Sequence, residues 1–132
     1  MLTVPVYRRF SDLDPLGHVN NVAYHDYLQE ARMGLIGDLD AVVSADFAQI
    51  VVSQEIRHRK PLGHSPEPVR IEIGISNMAR TSYTIDYRIL DEDGEVAAEA
   101  TTWMAVVDPR SGRPIRIPQG LLGRLAPHAD PG

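Results

Sequence analysis

The chain contains no cysteine. That absence excludes disulfides, zinc–thiolate sites, iron–sulfur clusters and thiol nucleophiles together. Long apolar runs are missing as well. The longest, 103–107, holds five residues, against the ~20 that a membrane-spanning helix requires. No signal peptide is expected, and the expected location is cytoplasmic. Basic charge is in deficit: 13 Lys and Arg against 18 Asp and Glu leave a net charge of −5. A nucleic-acid binder working through a basic face is therefore disfavoured. What is present is an ordinary globular composition, 43% apolar and 23% charged over 132 residues. That length suits one domain, able to bury roughly two-thirds of its unfolded surface.

The hydrophobic pattern changes period along the chain. Residues 2–10 alternate, with Val4, Val6 and Arg8 on one parity, and predict a strand. Residues 11–20 are rich in Ser, Asp, Pro, Gly and Asn and predict a loop. From Asn21 to Ile36 the apolar residues Tyr24, Tyr27, Leu28, Ala31 and Leu35 fall at offsets 0, 3, 4, 7 and 11, one stripe of a helix. Asn20 or Asn21 suits its N-cap and Gly37 its end. A second short helix is expected over 39–48. Strands follow: 49–59, with Ile50, Val52, Gln54 and Ile56 on one side, then one carrying Val69, Ile71, Ile73 and Ile75 on one face, then 82–90 and 95–107. The last two flank Asp91-Glu92-Asp93-Gly94, a hairpin signal. No βαβ alternation appears, so an α+β class is expected, an antiparallel sheet curled around one helix. Residues 1–118 form the domain, and 119–132 read as a flexible tail.

The densest group of chemistry-bearing residues is Asp12-Leu13-Asp14-Pro15-Leu16-Gly17-His18-Val19-Asn20-Asn21, just before the helix. A helix start offers free N–H groups and a partial positive charge, which suit a developing oxyanion. A carboxylate and an imidazole lie in the same loop, and together these are parts of a hydrolytic site. Capping and turn formation select the same residue types. On the residues alone both readings stand.

Residues 10–32, FSDLDPLGHVNNVAYHDYLQEAR, resemble the signature of hot-dog-fold thioesterases in the 4-hydroxybenzoyl-CoA and long-chain acyl-CoA branch. An aspartate loop running into HVNN, two aromatic positions and Glu-Ala-Arg is the shared pattern. Arg59-Lys60-Pro61 and the strand–hairpin–strand after it extend the similarity over residues 3 to about 118. The resemblance implies a hot-dog domain, a curved antiparallel sheet wrapped around one long central helix. It implies dimers, often dimers of dimers, with the site at the subunit interface. It implies hydrolysis of an acyl-CoA to free acid and coenzyme A, with no metal and no cofactor beyond the coenzyme A of the substrate.

Position by position, Asp14 matches the catalytic carboxylate, acting as general base or nucleophile. The backbone amide of Asn21 matches the oxyanion donor, and Gly17 a glycine that lets substrate approach. His18 and Asn20 brace the loop, with His18 a second polar group of the site, and Glu30 matches a structural helix acid. Leu16 stands where plant acyl-carrier-protein thioesterases carry a catalytic Asn, so an Asp–Asn–His mechanism is not expected. His18-Val19-Asn20-Asn21 replaces the aromatic-rich segment of the aromatic-specific enzyme, which favours a fatty acyl group.

Arg59 and Lys60 lie in the only dense basic run and are candidates for the coenzyme phosphates. The bland alternative puts Arg57 and Arg59 on a solvent face. Arg80, Thr81 and Ser82 are candidates for the pantetheine arm, or simply a polar turn. Tyr24 and Tyr27 are expected to pack the helix, Tyr24 beside the acyl tunnel. Trp103 and Met104 are expected in the sheet or dimer interface. His25, His58, His64 and His128 show no metal-ligand spacing. Two rival readings share the fold: an enoyl-thioester hydratase or dehydratase, which needs a His–acid pair such as His18 would give, and a non-catalytic acyl-thioester-binding subunit.

Overall fold

The computed structural model describes residues 2–36 and 46–129. Five strands form one antiparallel sheet: β1 (Leu2–Val6), β2 (Ala48–His58), β3 (Val69–Ser76), β4 (Ser82–Leu90) and β5 (Val96–Val107), in spatial order β1-β3-β4-β5-β2. Helix α1 (Asn21–Ile36) packs on one face, and a short helix α2 (Gln119–Leu125) follows the last strand. The period of two decides which face that is. Val69, Ile71, Ile73 and Ile75 of β3 and Tyr83, Ile85, Tyr87 and Ile89 of β4 are buried, while their neighbours are not. The expected stripe of α1 (Tyr24, Tyr27, Leu28, Ala31 and Leu35) is buried against this inner face. Its nearest sheet neighbours are β1 and β3. The far edge, β2, is therefore left uncovered on its inner side, with Val51 and His58 exposed.

The hairpin between β4 and β5 is anchored at its tip. Asp91 accepts the amides of Asp93 and Glu95 on Oδ1, both at 2.9 Å, and Gly94 takes the left-handed φ of +80° that closes the turn. Arg8 continues the inward parity of β1 and is buried. It donates to Gly63 O and Glu67 O and pairs with Glu92 at 2.8 Å. One side chain thus ties the end of β1 to the loop after β2 and to the hairpin.

Four expectations change. The first strand ends at Val6, and Phe10–Asp12 form a single 3-10 turn. In β2 the alternation breaks between Val51 and Ser53, because Val52 is an extra, unpaired residue in the ladder with β5. Gln54 and Ile56 then face inward while Ile50 faces outward, rather than sharing a side. The tail is not flexible over 119–125. Leu121 and Leu125 of α2 are buried in the core, Arg124 donates to Ile36 O at 3.1 Å, and Ala129 bridges to Ile75. Composition hid this, because Pro and Gly at 118, 120 and 123 mask a helix that tertiary burial supports. The helix expected over 39–48 falls mostly outside the described residues, and Ala48 opens β2.

Leu125 is fully buried, so Leu125→Ala should lower unfolding free energy by about 2–5 kcal/mol. A urea titration reads this as a lower midpoint, and an unchanged midpoint would restore the tail.

Candidate active site

The loop before α1 is closed by its own backbone. Asn20 N–H donates to Asp12 O at 2.7 Å, Asp14 N–H to His18 O at 2.8 Å, and Gly17 N–H to Asp14 O at 2.9 Å. Gly17 sits at φ +79° with nothing near its absent Cβ. Its conformation alone therefore favours glycine, alongside the close substrate approach expected of it. A second set of bonds fixes the loop to the segment after β2: Val19 N–H donates to Leu62 O at 2.7 Å, and His18 bridges Gly63.

The two aspartates meet opposite environments. Asp12 is buried. Its Oδ2 accepts from Tyr27 OH at 2.7 Å and from Arg9 N–H at 2.9 Å, and its Oδ1 pairs with Arg9 at 3.0 Å. Burial pushes its carboxyl pKa upward, but the bonds from Tyr27 and Arg9 outweigh that and hold it below the ordinary value. Burial, then the neighbouring Asp12, raise the Tyr27 phenol. Asp14 is only half-buried. Its Oδ1 accepts the amides of Leu16 (2.9 Å) and His18 (3.2 Å), and its Oδ2 has no bond among the described residues. One oxygen is pinned while the other remains available to take a proton.

Asn20 is the N-cap of α1: its Oδ1 accepts Val22 N–H at 2.9 Å, and its carbonyl accepts Ala23 N–H at 2.9 Å. The amide of Asn21, the first helical residue, is left without an acceptor among the described residues. Capping and oxyanion binding are thus not competitors here. Different amides serve them.

A cavity of about 340 Å³ gathers Asp14, His18, Asn21 and Tyr24 with His58, Arg59 and Lys60 from the end of β2. The structure so brings together six of the expected site residues, with Gly17 and Asn20 in the same loop. His58, set aside in the sequence, joins them; its ring lies edge-on to Tyr24 at 4.6 Å between centroids. Its signal was its register, three residues before Pro61 on the inward parity of β2. Tyr27 was read as packing, and its partnership with Asp12 had no local signal.

Three expectations need correction. Arg80 and Ser82 lie at the opposite end of β4 from the hairpin that Lys60 touches, ~27 Å away by strand rise. They are absent from this cavity. Arg59 and Lys60 line the cavity but are not spare charges. Arg59 pairs with Glu99 at 3.1 Å, and Lys60 with Asp91 at 2.6 Å and Glu95 at 2.5 Å. Asp91 first, then Glu95, raise the Lys60 pKa. The third is His18. Its bonds with Asp14 run through its backbone, and among the described residues its ring forms no pair with an acid. The dyad a hydratase would use is not assembled. Elsewhere, Met104 is buried and Trp103 is half exposed on the outer sheet face, opposite Ser53.

A family model described as the thioesterase-like superfamily matches residues 8–125. Among curated proteins none matches. Among solved structures, the PA5185 protein of Pseudomonas aeruginosa superposes with a TM-score of 0.89 at 24% identity, covering 100% of this chain and 94% of that one. A 1,4-dihydroxy-2-naphthoyl-CoA thioesterase from Synechocystis gives 0.85 at 20% identity, covering 94% of each chain. A Thermus thermophilus thioesterase, solved with coenzyme A and zinc, gives 0.75 at 26% identity over 93% of this chain and 95% of that one.

Tyr27→Phe should cost about 1–3 kcal/mol at neutral pH, since it leaves a buried carboxylate short of a donor. The pH dependence has a definite sign. A carboxyl whose folded pKa is depressed contributes stability above its unfolded value of ~3.9, and loses it as pH falls through the lower folded value. The difference between wild type and Tyr27→Phe should therefore narrow as pH drops below about 4 in thermal melts. A difference independent of pH would show that the bond to Asp12 is not the cause.

Proposed function

The chain belongs to the thioesterase-like superfamily, enzymes that open thioesters with water, and on that premise we propose that it hydrolyses a fatty acyl-CoA at the Asp14 cavity. In this reading α1 is the central helix of a hot-dog domain whose sheet curves about it. The observation that carries the proposal is the unequal use of the two Asp14 oxygens beside a helix that begins with an unengaged amide.

The thioester carbonyl oxygen points at Asn21 N–H, where the helix start favours negative charge. Asp14 Oδ2 takes a proton from water, whose oxygen adds to the carbonyl carbon. The negative charge of the tetrahedral intermediate rests on the carbonyl oxygen at that amide. Collapse breaks the carbon–sulfur bond, and the proton held by Asp14 passes to the departing thiolate. The products are a carboxylic acid and coenzyme A. Direct attack by Asp14 would start from the same oxygen.

Coenzyme A as carrier is supported by the Thermus relative that holds it. Its phosphates would be met at Arg59 and Lys60, displacing the exposed Glu95 from Lys60. A second copy of the chain is part of the proposal. β2 is an edge strand, and Ile50, Val51, Val52 and Trp103 are each 46–49% exposed around it, a patch that pairing would cover. A cytoplasmic location completes the reading, resting on the cysteine-free composition.

Asp14→Asn removes the proton acceptor but preserves a hydrogen-bonding oxygen for Leu16 and His18 N–H. It should fold normally and lose about 100-fold or more in kcat toward acyl-CoA, measured by thiol release. A folded variant with undiminished turnover would refute the mechanism.

A further inference from the structure

The inner face between α1 and β2 has a direction. At one end His58 lies against Tyr24 beside Asp14 and the start of α1. Four residues back along β2, ~13 Å by strand rise, Gln54 meets α1 again. It contacts His25 Nδ1 at 2.5 Å and accepts from Arg32 at 2.7 Å. Between the two levels the lining is apolar, with Ile56 half-buried and Leu28 buried. A thioester at Asp14 with its coenzyme toward Arg59 and Lys60 has this seam for its acyl chain.

The far end of the seam is not what a plain hydrocarbon requires. The same Arg32 nitrogen that reaches Gln54 Oε1 also donates to Tyr87 OH at 3.2 Å and Thr102 Oγ1 at 3.4 Å. Tyr87 donates in turn to Thr102, and Thr102 to Gln54. All of these partners are neutral. Among the described residues no carboxylate pairs with Arg32, and its second terminal nitrogen carries no bond. A largely shielded guanidinium held by neutral oxygens is short of an anion. Arg32 also tilts toward the N-terminus of α1, as helical side chains do, and so toward the thioester.

We infer that the acyl group ends in an anion: the substrate is an ω-carboxyacyl thioester whose distal carboxylate pairs with Arg32. This rests on the Asp14 cavity being a thioester-hydrolysing site, and it sharpens the fatty acyl reading from a plain chain to one with an acidic end. A carboxylate accepts in the plane of a guanidinium, and the methylenes before it fit the apolar middle of the seam.

Two measurements test it separately from the hydrolytic reading. In the first, wild type and Arg32→Met are assayed by thiol release on adipoyl-CoA against hexanoyl-CoA and on suberyl-CoA against octanoyl-CoA. Wild type should favour the ω-carboxylated member of one pair by about tenfold in kcat/KM, the worth of one charge-assisted hydrogen bond. Arg32→Met should bring that ratio near one, and Arg32→Lys should restore part of it. In the second, Asp14→Asn protein is titrated calorimetrically with adipoyl-CoA and hexanoyl-CoA, which needs neither turnover nor an Arg32 variant. Tighter binding of adipoyl-CoA supports the inference. Equal or weaker binding overturns it, as does a wild-type ratio at or below one in both pairs, or a ratio that survives in folded Arg32→Met. Absence of all turnover with a preserved binding preference would defeat the hydrolytic reading alone.

Discussion

The site depends on one buried carboxylate. Asp12 joins three pieces of chain that sequence keeps apart: its side chain holds Tyr27 in the second turn of α1 and Arg9 beyond β1, and its carbonyl holds Asn20. Asn20 is the cap of α1, so the orientation of the helix start and the closure of the loop share one anchor. A buried charge is costly unless it is fully bonded. That cost makes the arrangement specific, because displacing any of the three partners exposes the carboxylate to the whole penalty. Asp14, two residues away, inherits a fixed position without being buried itself.

The pair therefore shows how one residue type divides structural and chemical work. Asp12 is saturated with donors and held ionised; a proton acceptor needs the reverse, a lone pair with nothing on it. Asp14 has one oxygen tied to two backbone amides, which fixes the carboxylate without consuming its second oxygen. Leu16 and Gly17 make that tether possible, the first by donating its amide and the second by its left-handed φ. The resemblance assigned catalysis to Asp14 over Asp12, and burial now supplies the physical reason for that order.

Much of the fold was legible because it follows from period. The bounds of α1 and the inward residues of β3 and β4 need only local alternation and a stripe. What escaped the sequence has a common cause in tertiary context. A one-residue bulge at Val52 reverses the facing of Ile50, α2 is a poor helix by composition that the core rescues, and Lys60 meets acids from a hairpin thirty residues later. The site divides the same way. Loop, cap and cavity residues followed from one contiguous motif, whereas Tyr27, His58 and the pairing of Arg59 depend on side chains meeting across elements.

The open side of the sheet explains why these parts gather where they do. Because α1 sits over β1 and β3, the inner face of β2 lacks a cover, and the chain must leave it either wet or reserved for something else. Its residues are mixed accordingly: His58 at the cavity, Ile56 between, Gln54 at the polar end. A strand meant only for the core would repeat the isoleucines of β3, and one meant only for water would not carry Ile56 inward. The outer side of the same strand carries Glu55 and Arg57, paired with each other at 3.4 Å. A fully exposed pair of that kind adds little stability, but it keeps that flank of the edge polar while Ile50, Val51 and Val52 stay apolar further along. The division of β2 into a polar half beside the cavity and an apolar half beyond the bulge follows from the single extra residue that turns the strand.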